Sequence, residues 1–149
     1  MTVEIREIKH KELKDLFHLY KQLKADDMKL NDADALMRLW NEIYYDPNLY
    51  YIVAAVDNKI VSTCNISIIK NLTHNLRPFG IIENVVTDIE YRNNGYGKRV
   101  LDKAVDIAKK NNCYKVMLMT GSKSKEVLKF YEYVGFEKGI KTGFIKKLD

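Results

Sequence analysis

The segment 79–110 sets the strongest limit on what this chain can fold into. It opens on an apolar run, FGIIENVVT (Phe79 to Thr87), passes a charged turn that ends in RNNGYG (Arg92 to Gly97), and continues into a stretch with helical spacing. There Val100, Leu101, Ala104, Val105 and Ala108 recur at the 3.6-residue period, while Lys98, Arg99, Asp102, Lys103, Asp106 and Lys109 fill the opposite side. A short apolar run bounded by turn signals predicts a strand, and the periodic stretch predicts an amphipathic helix. Apolar character on both faces of 79–87 predicts a central strand. The chain therefore needs a sheet with a helix packed on it.

Around this unit the remaining elements follow from pattern. VEIREI (Val3 to Ile8) alternates as a first strand would. Leu13, Leu16, Phe17, Leu19, Tyr20 and Leu23 trace one helix face, and Leu36, Leu39, Trp40, Ile43 and Tyr44 trace another after the Asn31-Asp32 start signal. Asp46-Pro47 closes that helix. YYIVAAV (Tyr50 to Val56) and IVSTCNISIIK (Ile60 to Lys70), joined at Asp57-Asn58-Lys59, predict a β-hairpin, and NLTHNLRP a loop. YKVMLMT (Tyr114 to Thr120) predicts a buried strand, Ser124 to Val134 a short helix stopped by Gly135, and Phe136 to Leu148 a final hairpin or strand pair. The expected order is β α α β β β α β α β, an α/β (α+β mixed) sheet with helices on both faces, in one domain spanning 1–149. A dinucleotide-binding domain needs more consecutive βαβ units than this order contains.

Composition excludes several classes. No apolar run approaches the length of a membrane span, and MTVEIREIKH lacks the apolar region of a signal peptide, so no membrane association and a cytoplasmic location are expected. Cys64 and Cys113 form no CxxC and have no histidine cluster nearby, so no metal site or disulfide framework is expected, and each reads as a small buried hydrophobe. The net charge of +5 is spread along the chain, which suits a polyanionic ligand. It shows no basic face with interleaved aromatics, so nucleic acid is not an expected partner.

RNNGYG admits two readings from its residues alone. The first turn of a helix carries N–H groups without intrahelical partners at the positive end of the dipole, and glycines at 95 and 97 would let a phosphate reach them, with Arg92, Lys98 and Arg99 adding charge. Equally, Asn94-Gly95 can be a turn before a helix and Gly97 a close-packing position. Neither a Gly-Lys-Ser/Thr phosphate loop nor GxGxxG is present, since residue 100 is valine.

R-x-x-G-x-G after an apolar strand ending in VVTDIEY resembles the acyl-CoA-binding motif of the GNAT superfamily of N-acetyltransferases. FYEYVGF (Phe130 to Phe136) is similar to that family's F-Y-x-x-x-G-F segment, and the element order matches over essentially the whole chain. The resemblance implies a central mixed, mostly antiparallel sheet and acetyl-CoA as cosubstrate. It assigns the coenzyme pyrophosphate to Arg92, Asn93, Asn94, Gly95, Tyr96, Gly97 and Lys98, and the pantetheine arm to the backbone of Asn84, Val85 and Val86 as an added strand. A bulge there would splay this strand from 114–120, and an amide at about Val86 would face the thioester carbonyl. Tyr131 matches the family's general-acid tyrosine, though it can equally pack beside Leu128 and Val134. Glu83, a lone carboxylate in an apolar strand, is a candidate base if burial raises its pKa, or half of an ion pair. It resembles the glutamate of the IED segment of amino-sugar-phosphate acetyltransferases, where this chain has IEN.

The chain departs from the family pattern in two places: a glutamate near the end of the strand before Tyr131 is here Met119, and an asparagine seven residues before the tyrosine is Ser124, which could keep that coenzyme contact. Lys123 and Lys125 can approach phosphates or sit in a solvated turn. Trp40, Tyr44, Tyr45 and Tyr50 are candidates for an acceptor pocket or for core, and His74 beside Arg77 could touch an acidic substrate. The function expected is acetyl transfer from acetyl-CoA to a primary amine of a small molecule by direct attack. A protein lysine or N-terminus as acceptor, or an acyl-CoA-binding module without catalysis, stays open, as does a homodimer formed by exchange of the last strands.

Overall fold

The computed structural model describes residues 1–23 and 32–149, which separate into two compact units, Met1–Met117 and Leu118–Asp149. The sheet has strand order β1-β2-β3-β4-β5, formed by β1 (Val3–Glu7), β2 (Leu49–Val56), β3 (Lys59–Ile69), β4 (Phe79–Thr87) and β5 (Val116–Leu118), all but the last residue of β5 lying in the first unit. The β1–β2, β2–β3 and β3–β4 pairs are antiparallel. Asp57 and Asn58 join β2 to β3 with φ of 48° and 67°. Two residues with positive φ make the tight turn whose twist matches a hairpin, and Asp and Asn tolerate that region.

Both faces of the hairpin are covered, which is why Ile52, Val53, Ala54 and Ala55 are all buried in succession. On one face, Leu16 and Leu19 of α1 (Leu13–Leu23) and Trp40 of α2 (Ala33–Tyr44) pack with Val53, Ile60 and Val86. α2 starts at Asp32, whose carboxylate accepts the Ala35 N–H at 2.9 Å, a side-chain N-cap. Asn31, the other half of the expected start signal, lies outside the described residues. On the opposite face lies α4 (Tyr96–Lys110), with Val100, Leu101 and Ala104 fully buried and the Cys64 thiol donating to the Val100 carbonyl at 3.5 Å. The sequence period thus becomes the buried stripe of α4, and Lys103, Asp106 and Lys109 stay on its outer side.

Between β3 and β4, α3 (Thr73–Leu76) is a single left-handed turn, with φ of 54°, 59° and 65° at His74, Asn75 and Leu76. Arg77 pins it by donating from Nε to Asn112 O (3.1 Å) and from Nη2 to Cys113 O (3.0 Å), at the negative end of α4. The His74 ring stacks on Tyr114 at 3.8 Å.

Two expectations are corrected. The strand expected over 114–120 is only Val116–Leu118 and half-buried, since β5 has a neighbour on one side alone. The final hairpin expected over 136–148 is not formed: among the described residues no strand follows α5 (Lys125–Val134), and 137–149 are all exposed. Gly135, Gly139 and Gly143 fall within this stretch or at its start, with φ of 107° and 82° at the first two, a composition that favours turns over a ladder. The last strands through which copies were expected to pair are therefore absent from the described chain.

Candidate active site

β4 carries a bulge. Along β3, Thr63 and Asn65 are two residues apart, yet their partners Val86 and Glu83 are three apart, so β4 holds one extra residue in the Asn84–Val85 step. Asn84 takes it up in the left-handed region (φ 54°) and donates from Nδ2 to Asn65 Oδ1 at 3.1 Å. Beyond the bulge, Asp88 N–H donates to Val61 O at 2.8 Å. Alternation along an antiparallel ladder then turns the Val86 amide toward β3 as well and the Thr87 amide away from it, while Asn84 and Val85, inside the bulge, have no ladder partner on β3. The Val86 amide itself thus faces the ladder, and the amide next to it at Thr87 does not.

Glu83 is exposed, which corrects the expectation of a buried carboxylate. It lies opposite Asn65, on the face that Val86 shares, but past the part of that face that Leu16 and Leu19 cover. The bulge brings Val86 onto that same face, against α1, and Glu83 lies at its margin, where a charged group keeps its water.

From Thr87 the chain enters a loop fixed by its own polar groups. Asp88, 3% exposed, accepts the Glu90 N–H on Oδ1 (3.0 Å), and its backbone carbonyl accepts the Tyr91 N–H (2.8 Å). Lys59 Nζ lies 3.9 Å from Asp88 Oδ2 and 5.0 Å from the centre of the Tyr91 ring. Gln22, near the end of α1, accepts the Ile89 N–H at 2.9 Å. Arg92 donates from Nε to Thr87 O (3.2 Å), and Asn94 Nδ2 donates to Tyr91 O and Arg92 O, both at 3.1 Å. Neither Asp88 nor Gln22 was singled out by sequence; the one available signal was the abrupt onset of charge at Asp88.

The loop ends in a turn with two left-handed residues. Asn93 (φ 63°) and Gly95 (φ 80°) are both left-handed, the turn conformation in which successive N–H groups converge on an anion. Gly95 is the N-cap of α4 and has no side chain to offer, and no acidic residue occupies the first turn. The first helical bond is Arg99 N–H to Gly95 O at 3.1 Å, so the amides of Tyr96 and Gly97 lie ahead of the helical ladder. An ideal Cβ on Gly95 would meet nothing within 4 Å, so the glycine is required by its φ and not by close packing. Lys98, expected among the cradle's cations, is drawn along the helix to Asp102 at 2.6 Å. Tyr96 is buried.

The second unit holds Ser124 and Tyr131. Ser124 is the N-cap of α5 but makes no side-chain cap bond, leaving Oγ available to another partner. Tyr131 is half-buried, with its ring against Phe130 (5.3 Å) and edge-on to Phe136 (6.5 Å). The FYEYVGF motif explains this setting. Gly135 N–H donates to Glu132 O and Phe136 N–H to Tyr131 O, both at 3.0 Å, with Gly135 left-handed. That is the glycine-terminated helix end with its apolar contact, so Gly135 and Phe136 fix the last turn on which Tyr131 sits.

The aromatic candidates divide. Trp40 and Tyr44 line a cleft of about 400 Å³ with Tyr51, Arg6, Ile8 and Lys9. Trp40 donates from Nε1 to His10 O at 2.9 Å, and Tyr45, largely exposed, stacks on the His10 ring at 6.1 Å; Tyr45 and Tyr50 lie outside the cleft lining. Burial pushes the Tyr51 phenol up. Beneath the cleft, sequence gave no hint of the pairing of Arg6 with Glu12, a bidentate bond of 2.8 and 2.9 Å that the Lys9 N–H joins at 2.7 Å. Burial alone would raise the Glu12 carboxyl, but the Arg6 bonds, the Lys9 amide and their charges outweigh it and hold it below the usual carboxylate range. Cys64 is buried as expected, its thiol pushed up to about 12 by that burial, and Cys113 is half-buried. Among the described residues, no helix is long and apolar enough to cross a membrane, and no group of three or more His, Cys, Asp or Glu residues could hold a metal ion.

Comparison with known proteins places this geometry. A model of the acetyltransferase (GNAT) family matches residues 12–136. A putative acetyltransferase from Agrobacterium tumefaciens superposes with a TM-score of 0.90 at 38% identity, over 97% of this chain and 99% of that one. Glucosamine-6-phosphate N-acetyltransferase from Arabidopsis thaliana superposes with a TM-score of 0.86 at 28% identity over the full length of both chains. Glucosamine 6-phosphate N-acetyltransferase 1 of Dictyostelium discoideum is 31% identical over 102 residues, 66% of this chain and 63% of that protein. The chain spans less than two thirds of the length of the curated relatives it matches first.

Proposed function

Since the chain belongs to the acetyltransferase (GNAT) family, we propose that it is an N-acetyltransferase moving the acetyl group of acetyl-CoA to the primary amine of a small molecule, by direct attack. The observation that carries this reading is the continuous run from the β4 bulge through the braced loop to the open N-terminus of α4. Its left-handed Asn93 and Gly95 and the amides of Tyr96 and Gly97 suit a pyrophosphate, and Arg92, whose Nη groups make no hydrogen bond among the described residues, suits its charge. The backbone of Asn84, Val85 and Val86 takes the pantetheine arm, and an amide of this span not used by the ladder, at Val85 or Thr87, meets the oxygen on which charge develops.

The chemistry divides between two protic groups. Glu83, exposed beside the bulge, takes the proton of the attacking ammonium directly or through a water, and Tyr131 gives one to the departing thiolate. Ser124 Oγ contributes a coenzyme contact. No covalent enzyme intermediate is needed: Cys64 is a buried thiol held protonated, which makes it a poor nucleophile.

For the acceptor, the sheet register is informative. Tyr51, Asn65 and Glu83 are partners across β2, β3 and β4, so they form one row on one face. The row spans two strand spacings, about 10 Å, from Glu83 to the cleft lined by Tyr51, Trp40 and Lys9. That length suits an amino sugar whose amine lies at Glu83 and whose acidic substituent lies toward Lys9. The relatives named as glucosamine 6-phosphate N-acetyltransferases support an amino-sugar phosphate.

The test is release of free thiol from acetyl-CoA with glucosamine 6-phosphate, unphosphorylated glucosamine, a peptide with a free N-terminus, and no acceptor. Release with the sugar phosphate above the other three supports the reading. Release with the peptide alone moves the acceptor to protein, and tight CoA binding with no release in any arm leaves a binding module.

A further inference from the structure

A left-handed asparagine in mid-strand does not hold itself in place, and β3 is where its support lies. Four consecutive residues of that strand, Ser62, Thr63, Cys64 and Asn65, are buried, and three of them are polar. Thr63 is used within the hairpin, donating to Ile52 O at 2.7 Å. The other two polar residues reach β4 on either side of its bulge. Ser62 Oγ donates to Val86 O at 3.3 Å and lies 2.7 Å from Thr87 Oγ1, and Asn65 Oδ1 accepts from Asn84 Nδ2 at 3.1 Å. Buried polar side chains are kept where their hydrogen bonds are made, and here both sets of bonds end on the same four-residue span, 84–87. On that span the backbone leaves its regular register, Asn84 takes φ of 54°, Val85 has no ladder partner on β3, and alternation from Asp88 turns the Thr87 amide away from that strand.

We propose that Ser62 and Asn65 are positioning residues that clamp the β4 bulge from both sides, so that the amides aimed at the acyl-CoA thioester are set before the ligand arrives. This rests on the reading of the chain as an acyl-CoA-dependent transferase. Asn65 acts through Asn84: its carboxamide fixes the side chain of a residue whose own preference is for right-handed or extended backbone. Ser62 acts through the Val86 carbonyl and the Thr87 hydroxyl, closing the far end. Neither residue touches the thioester in this scheme. Preset donors are worth more to a developing oxyanion than donors that must first be gathered.

The test compares Asn65→Leu, Asn84→Gly and the double variant by turnover, by CoA affinity, and by the infrared carbonyl stretch of bound acetyl-CoA labelled at the thioester carbon. Asn65→Leu should lower kcat about 10- to 100-fold, the scale of a misplaced catalytic group, and move the carbonyl band back toward its value in solution. CoA affinity should hold, because the pyrophosphate cradle is not touched, and that binding also reports that the variant is folded. Adding Asn84→Gly to Asn65→Leu should recover kcat and the band, since glycine holds the positive φ without a side-chain tether. Ser62→Ala serves as a second, milder variant expected to move the band in the same direction. A native carbonyl band in Asn65→Leu, or a double variant no better than the single one, would overturn the clamp. Failure of the unaltered protein to bind acetyl-CoA would instead sink the functional reading on which the clamp depends.

Discussion

Replacing Gly95 separates the two uses of a glycine that its sequence context could not. At φ of +80° with nothing within 4 Å of an added Cβ, Gly95→Ala meets no steric clash and suffers only the left-handed penalty, about 1–2 kcal/mol. For a chain of this size that is a fall in Tm of roughly 2–8 °C. Gly95→Asn should recover part of it, because asparagine visits that region more readily. CoA affinity should behave differently. If the pyrophosphate lies over the α4 amides, any side chain at 95 costs about one charge-assisted hydrogen bond, 1.5–3 kcal/mol, or roughly 10- to 100-fold in Kd. Alanine and asparagine should therefore weaken CoA alike while differing in Tm. Calorimetric titration with CoA, repeated with pantetheine, which has no pyrophosphate, reads this directly: the loss should appear with CoA only. Native CoA affinity in Gly95→Asn, or an equal loss with pantetheine, would refute the cradle and leave RNNGYG a turn.

Other consequences concern chemistry and stability. Tyr131→Phe should lower kcat more than it weakens CoA binding, and Glu83→Gln should lower kcat most at low pH, where less acceptor is deprotonated by solvent; steady-state kinetics with the acceptor found by thiol release checks both, and unchanged turnover in either removes that residue from its role. Glu12→Gln should destabilise the fold by about 3 kcal/mol at neutral pH, because it strips the carboxylate from a shielded Arg6. Since the folded Glu12 carboxyl lies below its unfolded value, that stabilisation is complete above the ordinary carboxylate range and disappears as pH falls through the depressed value. Denaturant midpoints measured from pH 7 down to pH 3 should fall more steeply in the native protein than in Glu12→Gln, and parallel curves would show that the pair carries no such linkage.

Much of the fold could be read in the sequence because its signals are local and agree with one another. The stripe of α4, the Asp57-Asn58 turn and the Gly135 stop each depend on residues within one or two turns, and each falls where its period or turn chemistry put it. The tail from Phe136 shows the converse. Ile140, Phe144, Ile145 and Leu148 have the apolar character of strand residues, yet they are exposed among the described residues, and alternation cannot say whether an edge exists to receive a strand.

The site was legible only where its geometry is made by consecutive residues. Arg92 to Gly97 lead into the open start of α4 because left-handed Asn93 and Gly95 follow in one line, and FYEYVGF places Tyr131 because the helix end is coded by the glycine four residues on. Glu83 is harder to read for the opposite reason. Its surroundings are made across strands: it lies opposite Asn65 and beside a bulge whose two flanks bond Asn65 and Ser62, eighteen and more residues earlier on another strand. Neither asparagine announces the other in sequence; read in isolation, Asn65 interrupts an apolar strand and Asn84 merely replaces the aspartate of an IED segment. Only the register that sets Thr63 against Val86 and Asn65 against Glu83 shows that the two asparagines meet across one misstep of the ladder. Under the proposed function, a long-range pair of this kind would decide which amides of β4 the thioester meets, so the residues proposed for the coenzyme's pyrophosphate are coded locally and those that would set its reactive end are not.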